Sequence, residues 1–457
     1  MLSERREIMY YARWATRDEV AKRLVPVNNE TGVKKGGIPL MFDEKYLYID
    51  QKEAHNLIIG CTGSGKTQVS ILPTLKFAML AGESFVINDP KGEIYMKMAN
   101  KLKDEEYEVI ALDFEDSKYG DSWNPLALAY DMYKKCEKDK AIKLLEDLGY
   151  YLFSDPKDKS DPFWTYSVIN YFTGLALYLF ENAKSDEIHL NSIWSLSSSI
   201  NTSGTSKEFL DKLDKNGNIY LNLVGTLSAP VETRGSILSV FNQKIKKYIS
   251  RENLANMLSA SNFDMCDINK KKTAIFIISG HSSYCDNLIP LFVNQVVEVV
   301  NYSGRVGKTV HLLLDEFDSL LPIKDFSKII DFSRSIGIRF TIVIKSYQNL
   351  INLYSKEDAE ILKMCFGNII YLLSNDIYTL EEISSYCGMQ EVDGKIVPLV
   401  TIEELKTMDF FNAIVIMPRM MPFKTELLPD YKINWFYEST DAELPLRNEN
   451  KINNFVK

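Results

Sequence analysis

The segment GCTGSGKT carries the most specific chemical pattern in the sequence. It fits G-x-x-x-x-G-K-[ST], the pattern of a phosphate-binding loop, and it follows the apolar run HNLIIG as such a loop follows a strand. Glycines let backbone N–H groups turn toward phosphates, the lysine reaches the β and γ oxygens, and the hydroxyl binds Mg²⁺. We therefore predict a site for ATP and Mg²⁺, with Thr67 as a metal ligand. The predicted nucleotide-binding residues of this loop are Gly60, Cys61, Thr62, Gly63, Ser64, Gly65, Lys66 and Thr67.

Two adjacent carboxylates end another apolar run, VHLLLDEFDSL. Asp315 is placed to hold the magnesium ion, directly or through water. Glu316 follows it and is placed to orient or deprotonate the attacking water as a general base. The alternative is an ordinary strand that ends in an acidic turn. The phosphate loop in the same chain favours the catalytic interpretation.

Two further residues are candidates for sensing the nucleotide and for completing the active site. Gln348 follows the buried run RFTIVIKSY, where an amide is placed to sense the γ-phosphate and couple hydrolysis to movement. A solvated glutamine at a helix start is the alternative. Arg334 precedes that run and is a candidate arginine finger for the nucleotide of a neighbouring subunit, with a surface salt bridge as the alternative.

These residues need a rigid frame, and the sequence predicts a parallel sheet with helices on both faces. Short apolar, β-branched runs are each followed by a helix-like segment, which is typical of an α/β domain. The predicted strands are His55–Gly60, Ser84–Asn88, Val109–Phe114, Thr273–Ser279, His311–Asp315, Arg339–Lys345, Asn368–Leu373 and Asn412–Met417.

The strand pattern stops between Trp123 and about Val224, where apolar residues recur at helical spacing. We predict an all-alpha domain over residues 127–224, inserted between two parts of a nucleotide-binding domain, 1–126 and 225–447. Pro230–Ser250 is expected to be a helix that returns the chain to the sheet, and the polar residues 448–457 a flexible tail. The aromatic residues of the insertion are either core or a partner surface, and core packing is the simpler interpretation; they are Phe163, Trp164, Tyr166, Tyr171, Phe172 and Tyr178.

The composition limits the classes of function. The 457 residues carry a net charge of -9, which is the wrong sign for coating nucleic acid by bulk electrostatics, so any DNA contact must be local. Six cysteines without a CxxC pair and four histidines indicate neither a zinc site nor a disulfide framework, as in a reducing cytoplasm. No apolar run has the roughly 18 to 20 residues that span a bilayer, and Met1–Trp14 lacks the apolar core of a signal peptide.

Several blocks, in order, resemble the signature of TraG/TraD-type conjugative coupling proteins. They are ARWATRDEV at Ala12–Val20, the phosphate loop followed by Pro73, NDPKGEIY at Asn88–Tyr95, WNPL at Trp123–Leu126 and LLLDEFDSL. SRSIGIRFTIVIKSYQNL, GNIIYLLSND and TLEEISSYCG are also similar to the family pattern, so the resemblance covers about residues 12 to 420.

The resemblance implies a RecA-like nucleotide-binding domain with an inserted all-alpha domain, assembled as a homo-hexamer around a channel at the inner face of a bacterial cell membrane. It also implies a DNA-stimulated ATPase that links a relaxase, or a protein effector, to the membrane channel. By position, it implies hydrolytic roles for Asp315 and Glu316, a sensor role for Gln348 and a finger role for Arg334. The DPKGE block adds Asp89 and Lys91 to the nucleotide environment.

Two features depart from the family pattern. The N-terminal membrane helices of the family do not occur in this sequence, which allows either a shortened chain or recruitment by a separate membrane partner. The net negative charge indicates no basic surface along which single- or double-stranded DNA would bind, so a protein substrate remains an alternative. We expect the isolated chain to be mainly monomeric in dilute solution. The alternatives to a secretion motor are a DNA translocase of the FtsK/HerA kind and a nucleotide-binding adaptor that does not hydrolyse ATP.

Overall fold

A computed structural model of the chain describes residues 11–28, 31–155, 161–202, 205–280, 285–304, 308–435, 437 and 440–455. Within these ranges no helix is long and apolar enough to cross a membrane. Most of the N-terminal segment in which we expect no signal peptide, residues 1–10, lies outside the described residues.

The described chain starts with a short helix and a small antiparallel sheet that we did not predict. Helix α1 (Arg17–Arg23) begins at Thr16, which forms a capping box with Glu19. Strands β1 (Val25–Val27), β2 (Ile38–Phe42) and β3 (Leu47–Asp50) follow and pair in the order β1-β3-β2. These three strands are hard to recognise in the sequence because they are short and because Pro26 and Pro39 weaken the pattern of a strand.

A nine-stranded sheet forms the centre of the protein, and all eight predicted strands belong to it. Its strands are β4 (His55–Gly60), β5 (Ser84–Asn88), β6 (Glu108–Asp113), β7 (Thr273–Ile278), β8 (Val310–Leu314), β9 (Ile338–Ile344), β10 (Phe366–Leu373), β13 (Asn412–Ile416) and β14 (Phe423–Glu426). Strands β11 (Met389–Val392) and β12 (Lys395–Pro398) form a separate hairpin.

The strand order is β14-β13-β10-β4-β9-β8-β5-β7-β6. The seven strands from β10 to β6 run parallel and are buried on both faces, which explains their continuous apolar runs. Against the expectation of a fully parallel sheet, β13 runs antiparallel to β10, and β14, which we did not predict, runs antiparallel to β13. A short turn joins β13 to β14, whereas residues 374–411, which include the β11–β12 hairpin, connect β10 to β13.

Helices cover both faces of this sheet. The first part of the domain contributes α2 (Leu72–Ala81), preceded by a π-helical turn at Thr67–Ile71, and α3 (Glu93–Asp104). Between β6 and β7 the chain forms α4 (Ala127–Lys134), α5 (Lys138–Phe153), α6 (Pro162–Asn182), α7 (Leu190–Asn201), α8 (Thr205–Asp211), α9 (Asn218–Leu227), α10 (Val231–Ile249) and α11 (Glu252–Met257). The second part adds α12 (Leu288–Ser303), α13 (Phe326–Ser333), α14 (Tyr347–Leu353), α15 (Lys356–Cys365), α16 (Ile377–Cys387) and α17 (Ile402–Lys406).

The predicted helix at Pro230–Ser250 is present as α10, but it does not return the chain to the sheet. It packs against α5, α6 and α7, where Phe241 stacks on Phe153 and meets the ring of Tyr171 edge-on. A boundary after Val224 would divide α9 and separate α10 from this core. We therefore propose that the helical unit comprises α4–α11 and that it ends near Met257, whose carbonyl accepts a hydrogen bond from Trp123 N.

The six aromatic residues singled out in the helical unit fall into three groups, of which one, Trp164 and Tyr178, is partly buried against the core. Tyr171 and Phe172 are fully buried, as core packing requires. Phe163 and Tyr166, on the first turns of α6, are 50% and 63% exposed. This exposed pair therefore contradicts the core interpretation and belongs to the surface.

The polar C-terminus is docked, whereas we expected it to be flexible. Residues 448–455, here called the C-terminal strap, lie along α11 and α7. The strap's hydrogen bonds join Asn450 to Asn256 (2.9 Å), Asn453 to Asp186 (2.7 Å) and Phe455 to Ser192 (3.0 Å). The side chains of Asn450 and Asn453 bond polar groups of the helical unit, whereas the other polar side chains of the strap are exposed. Composition alone does not reveal this complementarity.

We predict that removing residues 450–457 makes α7 open more easily. Each hydrogen bond of the strap contributes about 0.5–1.5 kcal/mol, so the local opening free energy of α7 should fall by about 1–3 kcal/mol. Amide hydrogen exchange measures this opening. A protein that lacks only residues 456–457 is the matched control. Equal exchange rates of α7 in both truncated proteins would contradict a structural role for the strap.

Candidate active site

The predicted site residues other than Arg334 follow four neighbouring parallel strands, β4, β9, β8 and β5. Because these strands run in the same direction, their carboxyl ends meet at one edge of the sheet. Gly60 ends β4, Asp315 follows β8 and Asp89 follows β5. Lys345 follows β9, the strand between the first two.

The phosphate loop leaves β4 at Gly60 and turns back into a helix at Thr67. A Cβ on Gly60 would lie 2.4 Å from Ser64 Oγ, so only glycine fits where the loop folds over the strand end. Gly65 has a φ of +84°, which glycine adopts without strain. The N–H of Cys61 donates to the Leu373 carbonyl of β10 (2.8 Å), which anchors the loop to the sheet.

The lysine of the loop lies inside the site. Lys66 Nζ donates to the carbonyl of Cys61, 2.9 Å away. Burial lowers the pKa of Lys66, while the charges of Asp315 and Glu316 act in the opposite direction. Lys345 adds a second positive charge that also lowers this pKa. The ammonium group therefore shares one small region with the two predicted acids.

The acidic pair follows β8 directly. Asp315 Oδ1 accepts a hydrogen bond from Glu316 N (2.9 Å), and Asn88 Nδ2 donates to the Asp315 carbonyl (2.8 Å). Burial raises the pKa of Asp315 to about 6. Glu316 has a φ of +49°, a left-handed conformation that costs a residue with a side chain about 1–2 kcal/mol. The fold sustains this strain at the position predicted for the base.

The surrounding polar atoms fit a phosphate group and a magnesium ion. Among the described residues, three side-chain atoms beside the site are buried without a hydrogen-bond partner: Ser64 Oγ, Asn88 Oδ1 and Asp318 Oδ1. Such atoms are rare in protein interiors and mark sites of strain, ligands or water. The hydroxyl of Thr67 and the carboxylate of Asp315 are oxygen ligands of the kind that Mg²⁺ prefers.

The DPKGE block contributes to the site's framework. Asp89 Oδ2 accepts hydrogen bonds from Ile94 N (2.9 Å) and Tyr95 N (2.8 Å), so it caps the start of α3. Burial raises its pKa to about 6, and the nearby charge of Asp315 adds to this. Lys91 is exposed, and its Nζ lies 4.0 Å from Glu93. The structure thus brings Asp89 to the site but leaves Lys91 facing solvent.

The predicted sensor also faces solvent. Gln348 lies in the first turn of α14 and donates to Asn352 of the same helix (3.1 Å). Residues near Gln348 contact the acidic loop, residues 315–318, instead. Asp318 Oδ2 accepts hydrogen bonds from Asn349 Nδ2 (2.7 Å) and from Lys345 N (3.0 Å).

We did not predict these linking residues. Their sequence signal was the third acid of DEFD, at Asp318, and the polar residues Lys345 and Ser346 that follow the apolar run of β9. The order of the strands is needed to see that they meet.

Arg334 lies at the opposite edge of the sheet. It follows α13 and precedes β9, whose seven residues span about 20 Å. Its charge lowers the pKa of His55, the first residue of β4, after the larger effect of burial. Arg334 is exposed and does not meet the phosphate loop of its own chain. Arg339 is buried and donates to the carbonyls of Gly36 and Lys52.

Solved structures share this fold. The plasmid coupling protein TrwB in complex with the non-hydrolysable ATP analogue ADPNP is 16% identical, with a TM-score of 0.69 and coverage of 97% of each chain. TrwB in complex with ADP and Mg²⁺ is 16% identical, with a TM-score of 0.67 and coverage of 92% of this chain and 94% of TrwB. VirB4 of Thermoanaerobacter pseudethanolicus is 12% identical, with a TM-score of 0.52 and coverage of 86% of this chain and 96% of VirB4.

No curated protein sequence matches the chain. The family model described as Type IV secretory system Conjugative DNA transfer matches residues 5–396, which is most of the chain. The α/β sheet with its inserted helices and the phosphate loop beside an acidic pair agree with that match. The chain belongs to the family of type IV secretory proteins of conjugative DNA transfer.

Proposed function

We propose that the protein is the ATP-hydrolysing motor of a type IV secretion or conjugation system, which recruits a relaxase–DNA complex or a protein effector and delivers it to the secretion channel. One observation carries the proposal: in a chain of this family, Lys66 shares a sheet edge with Asp315 and Glu316. The complexes of TrwB with ADPNP and with ADP and Mg²⁺ support the choice of nucleotide and metal.

Each residue of the site has a distinct task in this proposal. The backbone of the phosphate loop and Lys66 bind the phosphates, and Thr67 and Asp315 hold the magnesium ion. When bound, Mg²⁺ would neutralise the negative charge on the β and γ oxygens of the nucleotide. Glu316 orients the attacking water and accepts its proton, and its strained backbone shows that the fold holds this position in place. Asp318 and Asn349 join the acidic loop to α14, so a movement of one is transmitted to the other.

The proposed active unit is the hexamer that the family resemblance implies, because the described Arg334 lies too far from its own phosphate loop to act as a finger there. Arg334 lies about 20 Å from the phosphate loop of its chain and faces solvent, where a neighbouring subunit is in reach. Exposed apolar side chains of α15 and the β11–β12 hairpin offer contact surface: Ile361, Met364, Val392 and Ile396. In this arrangement Arg334 reaches the nucleotide of the adjacent subunit.

The helical unit is the proposed recruitment surface. Exposed Phe163, Tyr166, Leu221 and Val231 lie on it, and aromatic and aliphatic anchors of this kind are typical of protein interfaces. The net charge of -9 makes a protein such as a relaxase a better direct ligand than bare DNA. We place the assembled motor at the cytoplasmic face of the bacterial membrane, beside the channel components.

Glu316→Gln should keep ATP binding and lower turnover by roughly a hundredfold or more, the scale of losing a general base. ATP binding by calorimetry and phosphate release, with and without single-stranded DNA, measure both quantities. Lys66→Ala is the matched variant that should lose ATP binding itself. Equal turnover of Glu316→Gln and wild type would assign the base elsewhere, and no hydrolysis by wild type under any of these conditions would favour the adaptor alternative.

Asp315→Asn should stabilise the protein at high pH when Mg²⁺ and nucleotide are absent. The pKa of Asp315 is raised to about 6 in the fold, above the ordinary value of 3.8, so the ionised carboxylate costs stability. This cost appears as pH rises from about 4 to 6 and reaches at most about 3 kcal/mol above that.

Urea unfolding of wild type and Asp315→Asn between pH 5 and 8 measures the difference, which should grow with pH. The variant should also lose the stabilisation that Mg²⁺ adds to bound ATP in wild type. A difference in stability that does not change with pH would refute this account of Asp315.

Mixing inactive Glu316→Gln with inactive Arg334→Ala protein should restore part of the activity. Some interfaces of a mixed hexamer pair an intact base with an intact arginine, and an arginine finger contributes about 10³ to 10⁵ in rate. Steady-state ATPase activity of the mixture, against each variant alone at equal total concentration, measures the effect. No recovery at concentrations where mixed oligomers form would exclude Arg334 as a finger in trans.

A further inference from the structure

Two consecutive aromatic residues, Phe410 and Phe411, lie at the edge of the sheet that carries the phosphate loop. They directly precede β13, which runs antiparallel to β10 with Tyr371 opposite Ile414. Because β13 is antiparallel, its amino end lies at the carboxyl edge of the parallel strands. The chain reaches this edge at the end of β10 and returns to it at the start of β13.

The two rings border the phosphate loop itself. A Cβ built on Gly65 would lie 3.0 Å from Cε1 of Phe411 and 3.8 Å from Cζ of Phe410. The ring centroids are 4.3 Å apart, with the planes inclined by 55°. Any side chain at position 65 would meet this pair, so the rings form one wall of the loop.

The turn before β13 is strained. Phe411 has a φ of +68°, which costs a bulky residue about 1–2 kcal/mol. Two backbone hydrogen bonds hold the turn, from Asn412 N to the Asp409 carbonyl (3.1 Å) and from Leu427 N to the Phe411 carbonyl (2.9 Å). Strain of this kind persists where the surrounding structure fixes it, and it is concentrated at binding sites.

The rings also differ in exposure. Phe411 is partly buried against the core of the sheet domain, whereas Phe410 is 63% exposed. An exposed phenylalanine is ordinary on a protein surface. Here it adjoins an anion-binding loop and packs on a second ring whose backbone is strained, so one apolar face is presented beside the phosphates.

The strand order divides the surroundings of the loop into two sides. The charged groups Lys345, Asp315 and Asp89 follow β9, β8 and β5, which lie on one side of β4. The aromatic pair lies on the other side, beyond β10. A nucleoside triphosphate held by the loop needs its terminal phosphates among the charged groups, so its apolar, flat base belongs on the opposite side.

We propose that Phe410 stacks on the base of the bound nucleotide, while Phe411 supports it against the phosphate loop. The inference rests on the proposed function and names the base subsite of the same site. A phenyl ring has no hydrogen-bonding group, so it holds a purine by its face and does not distinguish adenine from guanine. Stacking of a base on an aromatic side chain contributes enough to binding that its loss weakens affinity about 5- to 100-fold.

The test compares three ligands in the presence of Mg²⁺: ATP, GTP and inorganic tripolyphosphate. Isothermal titration calorimetry measures their affinities for the full chain. Phe410→Ala should weaken ATP and GTP by similar factors, about 5- to 100-fold, and leave the affinity for tripolyphosphate unchanged. Phe410→Trp should restore both nucleotides, because indole also stacks. Phe332→Ala is the matched control, since Phe332 is also an exposed phenylalanine and lies on α13, before the amino end of β9.

The outcomes separate this inference from the proposed function. Equal affinities of wild type and Phe410→Ala for ATP would overturn the base subsite while the motor stands. Equal loss of ATP and tripolyphosphate in Phe410→Ala would also overturn it, because the ring would then act on the phosphate loop. Lys66→Ala should lose all three ligands, and failure of wild type to bind any of them would refute the proposed function as a whole.

Discussion

Burial of seven parallel strands on both faces is the constraint on which the rest of this structure depends. A strand covered on both sides leaves the chain free to turn only at the two edges of the sheet. Because consecutive parallel strands need crossovers, the turns that follow the strands all lie at the same edge. Gly60, Asp89 and Asp315 therefore converge although they are distant in sequence, and helices on both faces supply the core that keeps them there.

The free energy gained by that core offsets the cost of a site whose buried carboxylates and strained backbone are unfavourable by themselves. Carboxylates at 89 and 315 are buried enough to raise the pKa of each to about 6, and Glu316 occupies a left-handed conformation. Positive charge is concentrated there too, since the charge of Lys345 lowers the pKa of Lys66. A triphosphate and a divalent cation are matched to these opposite charges. The folded protein carries the cost of assembling them before any ligand binds, which is the physical meaning of preorganisation.

The sequence predicted the frame of the site better than its side chains. Apolar runs identified eight strands because burial on both faces removes polar alternation, and the glycine spacing identified the loop. The small N-terminal sheet was missed since Pro26 and Pro39 weaken its pattern. Gln348 and Asn349 show the remaining limit: one step along a helix rotates a side chain by about 100°, and only the packing of α14 decides which of them meets Asp318.

The C-terminal strap changes how the helical unit is connected. Its two chain crossings to the sheet lie side by side, where Trp123 N donates to the Met257 carbonyl and Asn262 N to the Ser122 carbonyl. Beyond these crossings, α5 of the unit packs on α12 of the sheet domain, and Lys143 binds Glu298 there. The strap is fastened on both sides of the crossings, to Ser122 before them and to Ser192 of α7. A movement of the helical unit relative to the sheet therefore has to break hydrogen bonds of the strap at one of these two ends.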